Sequence, residues 1–462
     1  MFLRNKIARV ALLSALGLAG TSCDKILDQQ PQNSLDTDQV FTDLAGANAA
    51  LTGAYGGLTS VNYYGLRYPI FADLLADNLA HLGTFPSFAE FKNRNIQPTN
   101  AEVQSLWTAI YSTINRANNV IEYVPGVSGI LDAEKKRIVA EAKFIRALCY
   151  FDLVRYWQDV PLVLTPTKVV DASLNVSRTM ADKVYDQVKL DFDAAEADLP
   201  EGSPGRANKG AARALKARLA LYRGQFTEAA TLADQVIATT KFSLLPVYRD
   251  NFDAKNNPES IFEINFDNVT SSSYAFFLFP GSRGGRNEVG PLTTTLLTAY
   301  EPGDSRRNAS ISDGTFPVDG RLIPANVAIK YTKSGTGEDN FRVIRLAEVI
   351  LISAEAKART NDLVGSLALL NRIRTRASFK PPFTGTMVAL APSTAATQTD
   401  LLAAIDRERR VELAFEGHRW FDLVRMGRAQ ALLGITEPGR LLLPLPFRET
   451  LNNNNLKQYI PY

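Results

Sequence analysis

Asp406-Arg407-Glu408-Arg409-Arg410-Val411-Glu412-Leu413-Ala414-Phe415-Glu416-Gly417-His418-Arg419-Trp420-Phe421-Asp422-Leu423-Val424-Arg425 is charged at half of its positions and carries three large aromatic side chains. Its spacing predicts part of a helix over 399–430. Asp406 and Arg410 stand four apart, and Arg409–Glu412, Glu416–Arg419 and Asp422–Arg425 three apart, each pair of opposite sign. Phe415, Trp420 and Phe421 supply apolar anchors among them, so the segment reads as a structural helix tied to its neighbours. A catalytic reading competes with it. Glu408, Glu412 and Glu416 fall on one helical face and could act as paired carboxylates, with His418 as a general base. A charge-alternating helix favours the structural reading.

Working outward, most of the chain has helical periodicity. Val40, Leu44, Ala47, Leu51 and Tyr55 recur at threes and fours, with Gly56-Gly57 as the stop. Val103, Leu106, Trp107, Ile110, Ile114, Ala117 and Ile121 do the same before Pro125. Between Ala133 and Trp157 an apolar stripe widens from Phe144 onward to most of the circumference, the mark of a helix packed on several sides. Further helices are expected at 179–199, 208–222, 225–239, 341–360 and 363–377. Ala217 and Ala229, and again Ala356 and Ala368, lie twelve apart across short turns. Small residues at that interval allow close helix approach, as in tetratricopeptide hairpins. The expected fold is therefore mainly α: degenerate helix pairs with loop-rich insertions at about 60–100, 246–340 and 378–398, and minor β around Phe262–Phe266.

Composition narrows the function. The 51 basic and 48 acidic side chains leave no bulk positive field for nucleic acid. Two histidines (His81, His418) and two cysteines (Cys23, Cys149) are too few for a zinc site or a disulfide framework, and neither metal nor cofactor is expected. Cys149, among Phe144, Leu148 and Phe151, reads as a small buried hydrophobe. At the N-terminus, Arg4, Lys6 and Arg9 precede an apolar run, Val10–Ala19, too short to span a bilayer. Gly20-Thr21-Ser22-Cys23 follows, so residues 1–22 read as an export signal. The lone cysteine after it resembles a bacterial lipoprotein signal, which implies acylation of Cys23 by chains such as palmitate. Residues 23–36 are then anchor and tether, and 37–462 the body.

Several blocks together carry a family resemblance. The 406–425 segment, Arg345–Ala356, Leu370–Ala377, Glu141–Leu162 with its Phe-Ile-Arg-Ala core, and the tail from Leu441-Leu442-Leu443-Pro444-Leu445-Pro446 follow in an order that resembles the SusD/RagB family over nearly the whole mature chain. The resemblance implies a non-catalytic lipoprotein on the outer-membrane surface. Such a protein binds a nutrient, most often a glycan, and closes as a lid over a SusC-type TonB-dependent transporter.

Ligand contacts are expected in the insertions, where sugar faces need aromatic rings flanked by polar groups. Three patches qualify: Tyr63-Tyr64 with Arg67 and Tyr68; Phe85 and Phe88 with Asn93 and Arg94; and Tyr274 with Phe277. Trp107, Trp157 and Trp420 sit in expected helices and read as structural. Phenylalanine dominates the second and third patches and lacks a polar handle, so a peptide or other small nutrient stands beside the glycan. Gly281-Ser282-Arg283-Gly284-Gly285-Arg286 lacks phosphate-loop spacing and reads as a mobile loop near the ligand face; its two arginines could meet an acidic ligand, but a solvated loop is the favoured reading. Two other classes remain open. One is a surface glycoside hydrolase using Asp73 and Asp77 or the Glu408–Glu412 face; the other is a periplasmic helical scaffold that binds proteins.

Overall fold

The computed structural model describes residues 37–168, 174–378 and 390–462. The expected signal, Cys23 and the tether, and residues 379–389 of the third insertion, lie outside the described residues. The helices are α1 (Leu44–Leu58), α2 (Arg67–Leu74), α3 (Pro86–Asn93), α4 (Ala101–Tyr123), α5 (Asp132–Trp157), α6 (Ala181–Asp198), α7 (Lys209–Tyr222), α8 (Phe226–Ile237), α9 (Tyr274–Leu278), α10 (Leu346–Arg359), α11 (Leu363–Ala377), α12 (Gln398–Glu412) and α13 (Arg419–Arg425), with shorter turns between. Their starts follow from local chemistry. Asp43, Asn100, Asn208 and Asp362 each accept a hydrogen bond from a backbone N–H in the first turn of the helix that follows, satisfying donors that would otherwise be orphaned.

Successive long helices pack on one another from α4 through α8, with α1 against α4 and α5. Helix α5 is the hub, buried from Phe144 to Trp157 as its widening apolar stripe predicts. Arg146 of the Phe-Ile-Arg-Ala core grips both Asp191 carboxylate oxygens at 2.8 Å and reaches Asn118 at 3.0 Å, joining α5 to α6 and α4. Gly57 lies inside α1 rather than stopping it. A Cβ there would fall 2.4 Å from Thr113 Oγ1, so glycine sets the close approach of α1 to α4.

The two hairpins α7–α8 and α10–α11, far apart in sequence, are neighbours in space because α8 packs on α10. Ser353 donates to Asp234 at 2.6 Å across that seam. The intervening chain therefore loops out of a continuous stack. In the second hairpin, Ala368 is exposed; the close contact is one pair earlier, where Ser366 Oγ donates to the Ala354 carbonyl at 2.8 Å.

Three small antiparallel ribbons complete the fold: β1 (Leu79–His81) with β3 (Val289–Pro291), β2 (Ser260–Ile264) with β6 (Phe341–Arg345), and β4 (Pro317–Val318) with β5 (Arg321–Leu322). The β2–β6 pair closes the base of the large insertion. Residues 341–345, expected as the start of a helix, are a fully buried strand, and α10 begins only at Leu346.

The largest departure from expectation is at 399–430. The helix breaks after Glu412, where Phe415 (φ 64°) and Gly417 (φ 74°) turn left-handed, and α13 restarts at Arg419. Gly417 is required there, because a Cβ would lie 2.9 Å from Pro69 Cα. Of the four expected local ion pairs only Asp422–Arg425 forms, at 2.9 Å. The other charges reach distant partners: Arg410 and Arg419 hold Asp77, Arg419 also holds Asp406, Arg409 holds Asp422, and Glu416 turns inward.

That turn completes a buried ion cluster. Glu412 accepts from Arg345 (2.6 Å), Arg306 (2.9 Å) and Arg376; Glu416 accepts from Lys330 (2.8 Å) and Arg345 (2.8 Å). Glu408 takes Arg306 (2.5 Å) and Arg374 (3.1 Å), Glu259 takes Arg345 (2.8 Å) and Arg376 (3.0 Å), and Asp304 takes Arg306 (2.7 Å). Five acids thus meet five bases inside the protein. Burial alone would raise the Glu416 carboxyl, but Arg345 and Lys330 beside it hold it down to about 2. Removing one member strands its partners in low dielectric. Arg345→Met is expected to destabilise the fold by about 3–5 kcal/mol, read as a lower urea midpoint.

His418 is another buried titrating group of this region. Burial pushes its imidazole down to about 4, even with Glu348 at 3.7 Å. An unfolded histidine takes its proton near pH 6.5. As pH falls from about 6.5 to 4, the unfolded chain binds the extra proton first, and stability contributed by the neutral ring is lost. Acid unfolding curves of His418→Asn should therefore be flatter than the parent's in that window.

Candidate functional site

The first aromatic patch does not face solvent. Tyr63 and Tyr64 are buried, and their hydroxyls both donate to Asp152 of α5, at 2.5 and 2.7 Å. Asp152 also pairs with Arg155, so the two tyrosines complete the coordination of a buried carboxylate. Arg67 is pinned by Glu102 at 2.6 Å, and Tyr68 stacks on Phe421. As ligand platforms these residues are corrected to core. Phe88 is likewise buried against Phe71, and Tyr274 is buried with its hydroxyl donating to the Phe415 carbonyl at 3.1 Å. Arg94 caps α3 in a left-handed conformation and donates to the Leu75 carbonyl at 3.1 Å; Asn93 beside it is exposed.

The second and third patches converge. The β1–β3 ribbon lays 79–83 along 288–291, and Leu82 and Gly83 N–H groups both donate to the Glu288 carbonyl. Across this seam Phe277 stacks on Phe88 at 5.4 Å and approaches Phe85 at 6.2 Å, with Phe276 beside it at 5.8 Å. Phe85 and Phe277 are half-buried, while Phe276 (38%) and Leu82 (53%) are exposed. A small apolar face results, made by two loops 200 residues apart.

Its polar frame is Glu288. One carboxylate oxygen accepts the Phe85 N–H at 2.7 Å and lies 2.9 Å from His81 Nε2; the other accepts Arg286 Nε at 3.1 Å. Burial would raise this carboxyl, but the Phe85 N–H, His81 and Arg286 together hold it below the usual range. The Arg286 guanidinium lies 3.7 Å over the Phe85 ring, a cation–π contact. Gly83 is needed here, since a Cβ would meet the Glu288 carboxylate at 2.2 Å. Nothing local in the sequence joins His81 and Glu288, which is why pattern reading missed them.

The glycine-rich run between these elements is not a free loop. Gly281–Arg283 form a single helical turn, and Arg286 and Asn287 N–H groups donate to the Phe276 and Phe279 carbonyls at 2.7 Å each. On its far side lies a polar cleft of about 580 Å³ lined by Ser282, Arg283, the β4–β5 turn and residues 332–338.

The carboxylates considered for catalysis are engaged elsewhere. Glu408, Glu412 and Glu416 are inside the ion cluster, and Asp77 is held by Arg410 and Arg419. Asp73 is buried, accepts from Asn78 (2.7 Å) and Gly417 N–H (3.0 Å), and burial pushes its carboxyl up to about 7. Cys149 is a buried free thiol raised well above its ordinary value by burial, and the three tryptophans are all buried. Among the described residues, no group of three or more His, Cys, Asp or Glu side chains could hold a metal ion, and no helix is long and apolar enough to cross a membrane.

Fold and face together define a helix-pair scaffold that carries a loop-built aromatic face on long insertions. Comparison with known proteins relates that scaffold to described families. The family model described as "SusD family" matches residues 298–440, and one described as "Starch-binding associating with outer membrane" matches 25–221. SusD-like protein P2 of Formosa agariphila is 28% identical over 98% of both chains. A SusD homolog of Bacteroides thetaiotaomicron superposes with a TM-score of 0.81 at 21% identity, over 92% of this chain and 98% of its own. A solved "Laminarin binding SusD-like protein" has a TM-score of 0.74 at 26% identity, over 91% of this chain and 100% of its own. The two family models, which match separate parts of the chain, and the shared fold support its assignment to the SusD/RagB family.

The geometry makes Glu288 the pin between the two loops of the face. Glu288→Ala leaves the Phe85 N–H, His81 and Arg286 without their acceptor. It should raise amide hydrogen exchange across 82–88, by an opening free energy about 1–3 kcal/mol lower, while exchange in α5 is unchanged.

Proposed function

We propose that this chain is a cell-surface nutrient-binding lipoprotein that captures a saccharide on the loop face around Phe276, Phe277, Phe85 and Arg286. The observation that carries the reading is an exposed aromatic face with its Arg286–Glu288 frame, joined through the 281–286 turn to a polar cleft. Aromatic faces take the C–H faces of sugars, and the polar groups beside them take hydroxyls. The relative that is described as laminarin-binding supports a saccharide as ligand. The chemistry needs no bond made or broken: binding positions the nutrient for transfer.

In this reading Cys23 is acylated after removal of residues 1–22, and the protein lies on the outer membrane as the lid of a SusC-type TonB-dependent barrel. The match of residues 25–221 to the family described as "Starch-binding associating with outer membrane" supports that location. A lid that opens and still docks specifically needs an interface above about 1,000 Å². The phenylalanines lack hydroxyl groups, which favours peptide side chains as the second reading.

Calorimetry separates the two. The full chain carrying Cys23→Ser is titrated with laminarin and other pooled oligosaccharides, then with pooled peptides. Saccharide heat that falls about tenfold in affinity, near 1.4 kcal/mol, on Phe276→Ala supports the reading. Heat with peptides alone replaces it with the second. Phe276 is exposed, so the variant's melting temperature should stay at the parent value.

A further inference from the structure

The polar cleft beside the face gathers cations that are not matched to carboxylates, in contrast to those of the buried cluster and to Arg286–Glu288. Arg283, Arg321 and Lys333, which line the cleft, form no ion pair among the described residues. Arg283 is held in place without being neutralised: Nη2 donates to the Val318 carbonyl at 2.6 Å, its own carbonyl accepts from Ser334 Oγ at 2.9 Å, and its Nε is buried with no partner. Arg321, on β5, and Lys333, on the 332–338 loop, are exposed.

Three cations against Asp319 and Glu338 leave the cleft one charge positive. The one aromatic ring in the lining, Phe279, is buried, so the cleft offers no stacking face for a neutral sugar ring. What it offers is a planar guanidinium already fixed, two further cations, and hydroxyl and amide donors. That set suits a planar or tetrahedral oxyanion. The carboxylates Asp319 and Glu338 can accept hydroxyls of the ring that carries it. We propose that this cleft receives an anionic substituent, so that the saccharide bound by this chain is acidic, bearing a uronate carboxylate or a sulfate ester. The inference rests on the saccharide reading above and names its substrate class.

The test uses the full chain with Cys23→Ser and three probes: oligogalacturonates, sulfated carrageenan oligosaccharides and neutral laminarin oligosaccharides. One acidic probe is expected to bind about tenfold or more tighter than the neutral one, and to weaken several-fold on raising NaCl to about 0.5 M. Which acidic probe binds distinguishes carboxylate from sulfate. Arg321→Ala with Lys333→Ala, both exposed, should remove that preference and its salt dependence without lowering the melting temperature. Equal or tighter binding of the neutral probe overturns the inference and leaves the saccharide reading standing, as does acidic affinity unchanged in the double variant. Silence with all three probes removes both.

Discussion

Five carboxylates and five bases sealed inside a helical protein impose one constraint above all: every one must find its partner, because an unpaired charge in that setting is worth several kcal/mol of destabilisation. The members come from the residue before β2 (Glu259), the insertion (Asp304, Arg306, Lys330), β6 (Arg345), α11 (Arg374, Arg376), α12 (Glu408, Glu412) and the turn after it (Glu416). Burial of the cluster therefore fixes where the insertion re-enters the scaffold. It also coincides with the left-handed break at Phe415 and Gly417, in which Glu416 meets Lys330 and Arg345.

The same constraint positions the aromatic face. The insertion is clamped at its base by β2–β6 and by Lys330, and at its far end by the β1–β3 ribbon and Glu288. The aromatic residues between those clamps are presented by a framework that has little freedom. Asp152 with Tyr63 and Tyr64 does comparable work beneath it, tying the 60–75 segment to α5.

The scaffold was legible because helices announce themselves locally: the widening stripe of α5, the N-caps, and the α7–α8 hairpin all follow from spacing within twenty residues. Where local spacing misled, long-range pairing was responsible. Arg409 and Glu412 have the right interval for an ion pair, yet Arg409 serves Asp422 and Glu412 serves Arg345. Residues 341–345 look helical but pair with β2. The site divides in the same way. Phe85 and Phe277 were visible as aromatic loop residues; Tyr63, Tyr64 and Tyr274 looked alike in sequence but are consumed by buried acceptors. His81 and Glu288, 207 residues apart, had no local signal at all.

The pairing of Asp73 with the Gly417 amide and of Asp77 with Arg419 spans 344 and 342 residues. Loop-closure entropy for contacts this remote must be met before they return any stabilisation. A nascent chain that has emerged only as far as α11 leaves Asp77 without Arg410 and Arg419, and Asp73 with Asn78 as a local partner but without the Gly417 amide. Final closure of the 67–78 segment is thus expected to wait for the last fifth of the polypeptide, and a fragment lacking it is expected to be less protected from proteolysis.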